Sequence, residues 1–408
     1  MKVKNLILNS SLCVFSIYIS GILFSLIDYF FISSDLINVS RIKDIRTYND
    51  IKKRIEALEL GMMPVYSPWD LFEAKNTPKI YPIGSMPLTQ SYFCNEGYGL
   101  STYRTDRFGL RNKDTKWEKA QKQNNIFLVG DSFTHGACVS NEQTISNNIE
   151  KKTKLNTFNL GSKGNDPYDY IATMRSIVKP IIQNSSKKNK VVLIFFANDN
   201  VSENIKKEEL LIFLKSIVKI NKKGTVSPTK YYLDAHKEFI FNNFPTEKDE
   251  IIKKIKGSNF KKSFKKSSIK STPFYAITTL VPIRSKLRIV TKSFFSRTNI
   301  STNISLNSES ISQRSISVLS EICNQSCKPY VAYIPNSTYW NRNPIEDKSK
   351  KYKNLLISKS QSLSIPFIDG EKIIDPSDKK NYSPEGGHLS IKGYENISKL
   401  ISKTIEDY

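Results

Sequence analysis

Histidine is scarce in this sequence: His135, His236 and His388 are the only three in 408 residues. Any chemistry that needs an imidazole near neutral pH has just these positions to draw on. Cysteine is sparse too, with five in the chain. Cys13 lies in an apolar run, and Cys323 and Cys327 stand four apart, which is not the C-x-x-C spacing of a redox pair. No histidine accompanies them as a zinc site would need. Cys94, Cys138, Cys323 and Cys327 could form two disulfides whose pairing the sequence does not give; packed free thiols are the favoured expectation. Zinc-finger spacing, a Walker loop and basic-aromatic nucleic-acid motifs are all missing. The formal charge of +24 and pI near 9.6 therefore do not point to nucleic acid, and much of the charge reads as a lysine-rich background. No recognised metal-ligand spacing joins Asp131, Asp199 and His388, so neither a metal nor another cofactor is expected. No internal repeat is visible.

What is present begins with an apolar run. Leu6 to Ile27 contain no charged residue, long enough as a helix to cross a hydrocarbon core of about 30 Å. Lys2 and Lys4 precede it, and no A-x-A-like cleavage site follows. Arg41, Lys43, Arg46 and Lys52 on the far side leave the charge rule undecided on orientation. Residues 1–34 are read as an uncleaved transmembrane signal anchor, with Tyr29, Phe30 and Phe31 at the interface. The rest of the chain is expected outside the cytoplasm, periplasmic or at the cell surface. Residues 35–123 read as a charged stalk and an irregular lead-in, rich in turn formers and aromatics, that packs on the rim of the main domain. Arg107 and Arg111 in that lead-in read as solvated surface arginines.

From residue 124 short apolar strands alternate with helical patterns. The strands are expected at Ile126–Val129, Thr157–Leu160, Val191–Ala197, Tyr330–Ile334 and Ile365–Ile368. Helices are expected at Glu142–Lys154, Pro167–Val178, Ser315–Cys323, Lys350–Lys359 and Ile391–Ile405. Such alternation predicts an α/β fold, a doubly wound parallel sheet of about five strands spanning 124–408. A long basic insertion at 201–308 interrupts it. Its first part, Glu208 to Ile220, has apolar residues at helical spacing, and its centre is dense in lysine from Lys253 to Lys270. The insertion reads as a cap that could lie on anionic lipid or bind an acidic polymer.

Residues able to carry chemistry gather at strand ends. Ser132 follows the first strand, Asn159 to Asp166 the second, and Asn198-Asp199-Asn200 the third; all fall on the carboxyl edge of a parallel sheet, where ligands bind. A turn-rich loop, Ser383-Pro-Glu-Gly-Gly-His-Leu-Ser390, precedes the last helix. A serine hydroxyl needs a base to become a nucleophile, and His388 is the candidate. Glu385, three residues earlier, can orient the imidazole, with Asp375 or Asp369 as alternatives or a plain Ser-His dyad. The backbone N–H groups of Ser132 and Gly164 and the Asn198 amide would form an oxyanion hole. His135 is expected to line the cleft, and His236 has no nameable partner. G-x-S-x-G is absent, Thr134 standing where its second glycine would be, which excludes a lipase-type α/β-hydrolase elbow.

Gly130-Asp131-Ser132 with Gly136, Asn159 to Gly164, Asn198-Asp199 and Glu385 to His388 resemble, in chain order, four blocks of the SGNH, or GDSL-type, hydrolase superfamily. Tyr103-Arg-Thr-Asp-Arg-Phe-Gly-Leu-Arg111 is similar to the lead-in of membrane-anchored bacterial members linked to surface polysaccharides. The resemblance implies a flavodoxin-like strand order, Ser132 as nucleophile and first oxyanion donor, Gly164 and Asn198 completing the hole, and His388 as base. It also implies an ester substrate, such as an O-acetyl group on a cell-surface glycan. Two departures stand out: Glu385 replaces the family's aspartate, and Ala197 replaces the glycine that opens the third block. An O-acyltransferase using the same site, and a silent relative that binds or assembles polysaccharide, are the alternative functions.

Overall fold

The structure, a computed structural model, describes residues 48–67, 81, 83–183, 185–197, 199, 211, 216–235, 310–338 and 346–407. All of these belong to one unit, Thr47–Asp249 together with Glu309–Tyr408. The anchor at 1–34, the lysine-dense centre of the insertion, His236 and Asn198 lie outside the described residues.

In chain order, helix α1 (Tyr48–Glu59) leads into strand β1 (Met63–Pro64), which with β2 (Gln90–Tyr92) and β3 (Thr102–Arg104) makes a small sheet. A 3-10 segment, Asp114–Lys122, then delivers the chain to β4 (Asn125–Val129). A short turn of helix, α2 (Ser132–His135), follows, then α3 (Ile145–Thr153), β5 (Asn156–Asn159) and α4 (Pro167–Thr173). A π turn (Met174–Val178) joins α4 to α5 (Lys179–Gln183), and β6 (Asn189–Phe196) returns to the sheet. A hairpin of β7 (Val218–Ile220) and β8 (Val226–Pro228) precedes α6 (Ile311–Cys323), β9 (Cys327–Ile334), α7 (Glu346–Ser362), β10 (Phe367–Asp369) and α8 (Ile391–Asp407).

The main sheet has the order β10-β9-β6-β4-β5, every pairing parallel. This is the five-stranded, flavodoxin-like arrangement expected, with its reversal between β4 and β6. The crevice at the carboxyl ends of those two strands is the site that such a reversal opens. Every residue of β4 is buried, as a strand covered on both faces requires. Because successive side chains point to opposite faces, Phe127, Val129, Leu193 and Phe195 enter one core while Ile126, Leu128, Val192 and Ile194 enter the other. On the second face α3 and α8 contribute Ile145, Ile149, Ile397, Ile401 and Ile405, all fully buried. Truncating one of them to alanine should cost about 2–5 kcal/mol.

Several expectations are corrected. Where a helix was expected from Glu142, a 3-10 turn (Asn141–Gln143) with a Ser140–Gln143 capping box comes first, and α3 begins only after it, from its own cap, Thr144. Where a helix was expected over Glu208 to Ile220, Val218–Ile220 is a strand paired with β8. Ile217, Val226 and Tyr232 are buried in the main core, so this part of the insertion is built into the body. Ala57, Leu58, Met63, Val65 and Tyr66 are likewise buried, where the sequence reads as a stalk. The thiols are not free: Cys94 joins Cys138 and Cys323 joins Cys327. Folding brings the paired Cα atoms to 4.9 and 4.5 Å, within bridging range.

Candidate active site

β4 ends at Val129, and no side chain fits at the next position. A Cβ on Gly130 would lie 2.1 Å from Thr134 Oγ1 and 2.8 Å from the Ile194 carbonyl. Asp131 then caps the turn that follows, its Oδ1 accepting from Phe133 N at 2.9 Å. The turn closes at Gly136, whose φ of 82° is left-handed, a conformation that favours glycine. Ser132 is thereby held half-buried at the sheet edge.

Ser132 Oγ lies 2.9 Å from His388 Nε2. On the other side of the ring, His388 Nδ1 is 2.8 Å from Glu96 Oε1, and the His388 backbone N–H donates to Glu96 Oε2 at 3.2 Å. A carboxylate only accepts, so Nδ1 carries the proton that Glu96 receives and Nε2 is left to accept from the serine hydroxyl. Phe133 packs against the imidazole at 4.9 Å between ring centroids and stacks on Phe196 at 4.0 Å.

The carboxylate that reaches the imidazole is Glu96, from the lead-in, and not the expected Glu385. Glu385 is exposed, and its backbone N–H donates to the Glu96 carbonyl at 3.1 Å. Beside it, Gly386 has no room for a Cβ, which would fall 1.9 Å from Glu96 Cδ; the histidine loop is shaped to admit the other glutamate. The alternatives are engaged elsewhere. Asp375 accepts from Ser377 N and Oγ in its own turn. Asp369 accepts from Lys353 Nζ and Glu371 N. One sequence signal pointed toward Glu96: Cys94 stands two residues before it and Cys138 six after Ser132, so that pairing would bring acid and nucleophile together.

The lead-in is bonded to the serine loop at many points. Besides the Cys94–Cys138 disulfide, Ser101 Oγ donates to the Val139 carbonyl at 2.9 Å. Arg111, expected in solvent, is buried at 5% exposure, where it donates to the carbonyls of Gly136 and Val139 at 2.6 and 2.7 Å and covers the Tyr103 ring at 4.4 Å. Arg107 is tied to Asp114 and Glu118. His135 does not line the cleft: it is buried between the Tyr103 hydroxyl at 2.8 Å and the Gly161 carbonyl at 3.3 Å. Burial, with the Arg111 charge nearby, pushes its pKa down to about 3, so it is a neutral structural imidazole. Asn112 Nδ2 donates to the Asn159 carbonyl while Asn159 N donates to Asn112 Oδ1, at 2.9 and 2.8 Å, which binds the lead-in to β5.

The charges are arranged in opposition. Burial disfavours the ionised Glu96 carboxyl, but its hydrogen bond and attraction to His388 outweigh that and hold it below the usual carboxylate range. Burial would lower His388; the Glu96 hydrogen bond and charge, with help from Asp131, raise it above the ordinary histidine value instead. Beneath the serine, burial pushes Asp131 up to about 6. Burial and the neighbouring Asp131 charge also push Asp199 well above the usual carboxylate range, and Asp199 Oδ2 accepts from the Tyr170 hydroxyl at 2.6 Å. Gly164 has a left-handed φ of 68° and backs onto Ser67, whose Cβ is 3.3 Å from where a glycine substituent would sit. Asn165 Nδ2 donates to the Gly130 carbonyl at 3.1 Å, so the loop after β5 rests against the serine turn. Glu96, Cys138 and His388 present donor atoms within 4.8 Å of one another. The Cys138 sulfur is committed to a disulfide and the imidazole to Ser132 and Glu96, so they do not make a free ligand set for a cation.

A hydroxyl, imidazole and carboxylate in this order can produce a serine nucleophile at neutral pH. No family model matches the chain, and no curated protein matches its sequence. Among solved structures, a protein assigned to the G-D-S-L lipolytic family from Desulfitobacterium hafniense DCB-2 is similar at 12% identity and TM-score 0.33, over 69% of this chain and 98% of that one. A protein assigned as an SGNH hydrolase from Slackia heliotrinireducens is similar at 9% identity and TM-score 0.37, over 70% of this chain and 100% of that one. The lipase Lip_vut3 from a goat rumen metagenome matches at 12% identity and TM-score 0.33, over 69% and 96% of the two chains. These likenesses are remote, and the chemistry open to this chain follows from the Ser132–His388–Glu96 geometry.

Proposed function

We propose that this protein is a serine ester hydrolase of the SGNH (GDSL) type. The observation that carries the reading is the continuous relay from Ser132 Oγ through both nitrogens of His388 to Glu96, with links of 2.9 and 2.8 Å. Ser132 Oγ attacks the ester carbonyl carbon while its proton passes to His388 Nε2, and the carbonyl oxygen becomes an oxyanion. The backbone N–H groups of Ser132 and Gly164, with the Asn198 amide, are its proposed donors. Collapse of the tetrahedral species expels the alcohol, which takes the proton from His388. Water then attacks the acyl-serine with His388 again as base, releasing the carboxylic acid and restoring the hydroxyl. Glu96 stays ionised throughout and stabilises the imidazolium that forms transiently.

The proposed substrate is a small acyl ester, such as an O-acetyl group on a cell-surface glycan. The proposed place is outside the cytoplasm, tethered by residues 1–34. Two disulfides support that compartment, since such bonds persist where the surroundings are oxidising; the uncharged run from Leu6 to Ile27 supports the tether. The test is labelling of the full chain by a fluorophosphonate together with hydrolysis of p-nitrophenyl acetate. Both should be present in the native protein and absent in Ser132→Ala. Retained hydrolysis in that variant would overturn the reading, and labelling without net hydrolysis unless a sugar hydroxyl is supplied would make the protein an acyltransferase.

A further inference from the structure

The opposite edge of the sheet, the amino-terminal edge, carries a second feature. Three turns meet there: residues 119–124 before β4, 185–188 before β6, and 221–224 between β7 and β8. They are fastened to one another. Ser185 Oγ donates to the Gln121 carbonyl at 2.9 Å and Lys188 N to Asn124 Oδ1 at 3.0 Å. Gln121 N donates to the Gly224 carbonyl at 3.3 Å, and the Lys122 stem crosses Gly224 so closely that a Cβ there would be 2.7 Å from Lys122 Cγ. Each turn presents two exposed lysines: Lys119 and Lys122, Lys187 and Lys188, Lys222 and Lys223. None of the six forms an ion pair with a described residue. The three turns contain no acidic residue, and Glu118, just before the first of them, is taken by Arg107.

Like charges gathered on one rigid face are unfavourable unless a partner supplies the opposite sign. We propose that this face docks on an anionic lipid surface, its lysines meeting phosphate headgroups, so that the body stands with Ser132 pointing away from the bilayer. The chemistry fits a headgroup layer. Lysine is a point-charge phosphate binder, each such residue near an anionic leaflet contributes about 1 kcal/mol, and no arginine fork lies among the six. An acidic substrate polymer fits less well, because β6 runs eight residues between the two edges, roughly 25 Å of extended chain, so the polymer segment held by these lysines would not be the one presented to Ser132.

The test is amide hydrogen exchange on the full chain reconstituted in nanodiscs of phosphatidylcholine alone or with phosphatidylglycerol added. Any apolar anchor inserts in both, so the contrast isolates charge. The expected result is slower exchange at 119–124, 185–188 and 221–224 with phosphatidylglycerol only, lost in 1 M NaCl, where the screening length falls to about 3 Å. It should also be lost in the sixfold variant K119Q/K122Q/K187Q/K188Q/K222Q/K223Q, which leaves the lysines of 253–270 in place and leaves p-nitrophenyl acetate hydrolysis in detergent unchanged. Equal exchange in the two nanodiscs overturns the proposal. So does protection by soluble polygalacturonate without protection by phosphatidylglycerol, and so does protection that persists in the sixfold variant. Fluorophosphonate labelling reads the esterase separately, so either reading can fail alone.

Discussion

Two loops converge on His388, and each carries a glutamate. In the loop at 383–390, Glu385 is three residues from the histidine yet exposed, touching the site only through its backbone N–H. In the loop at 93–101, Glu96 is 292 residues away in sequence and bonds both the ring and the backbone of that histidine. What separates them is support. The Glu96 loop is fixed by a disulfide, by Phe93 N to the Ser101 carbonyl at 2.9 Å and by Ser101 N to the Cys94 carbonyl at 3.0 Å. An acid that must hold an imidazole within hydrogen-bond reach is better served by a braced side chain than by a near one on an open turn.

The heaviest loss should come at the histidine that both loops meet. His388→Ala should lower kcat by about 10^6-fold, read as p-nitrophenyl acetate turnover with fluorophosphonate labelling lost. Glu96→Gln should lower kcat by roughly 10^4-fold, while Glu385→Gln should leave it unchanged; equal losses in the two variants would show that the braced loop is not the one that matters. Unlinking the loop with Cys94→Ala and Cys138→Ala together should cost about 10^2-fold or less in kcat through misplacement of Glu96. The same variant should lose about 2–4 kcal/mol of stability in a denaturant titration, and esterase activity should fall more steeply with added reductant in the native chain than in the variant.

The smallest expected effect is a displacement along the pH axis. His388 must be neutral to act as base, and its pKa is raised by Glu96. The acid limb of kcat/KM should therefore lie above the ordinary histidine value near 6.5, and Glu96→Gln should move it to lower pH while Glu385→Gln leaves it in place. The same pair has a stability signature. A raised histidine stabilises the fold below its unfolded value and loses that contribution as pH rises through the folded one; a depressed carboxyl stabilises above its unfolded value and loses it on acidification. The pair should thus contribute most between about pH 4.3 and 6.5, and the native-minus-Glu96→Gln stability difference should peak in that window.

The five strands of the main sheet, their parallel direction and the edge on which Ser132 emerges were legible because they follow from local pattern. β4 and β6 carry the apolar runs Ile126–Val129 and Val191–Phe196, closed by turn chemistry, and Gly130 admits nothing larger. His388 was legible by scarcity, being one of three histidines and set among glycines. The acid was not, because a carboxylate three positions from a histidine looks the same in sequence whether its side chain faces the ring or the solvent. Arg111 and His135 misled for a related reason: a polar residue signals exposure by type, and only the partners that folding supplies, here the Gly136, Val139 and Gly161 carbonyls and the Tyr103 hydroxyl, make their burial tolerable.

Local pattern was enough to fix which segments become the strands of the main sheet and which hydroxyl and imidazole are available, since periodicity and turn residues act over a few positions along the chain. The tertiary structure alone decided which carboxylate completes the relay, which cysteines join and which lysines share a face. Those outcomes depend on distances of a few ångströms between segments that are remote in sequence; hydrogen bonds and disulfide bridges are lost over that scale, and charge interactions weaken.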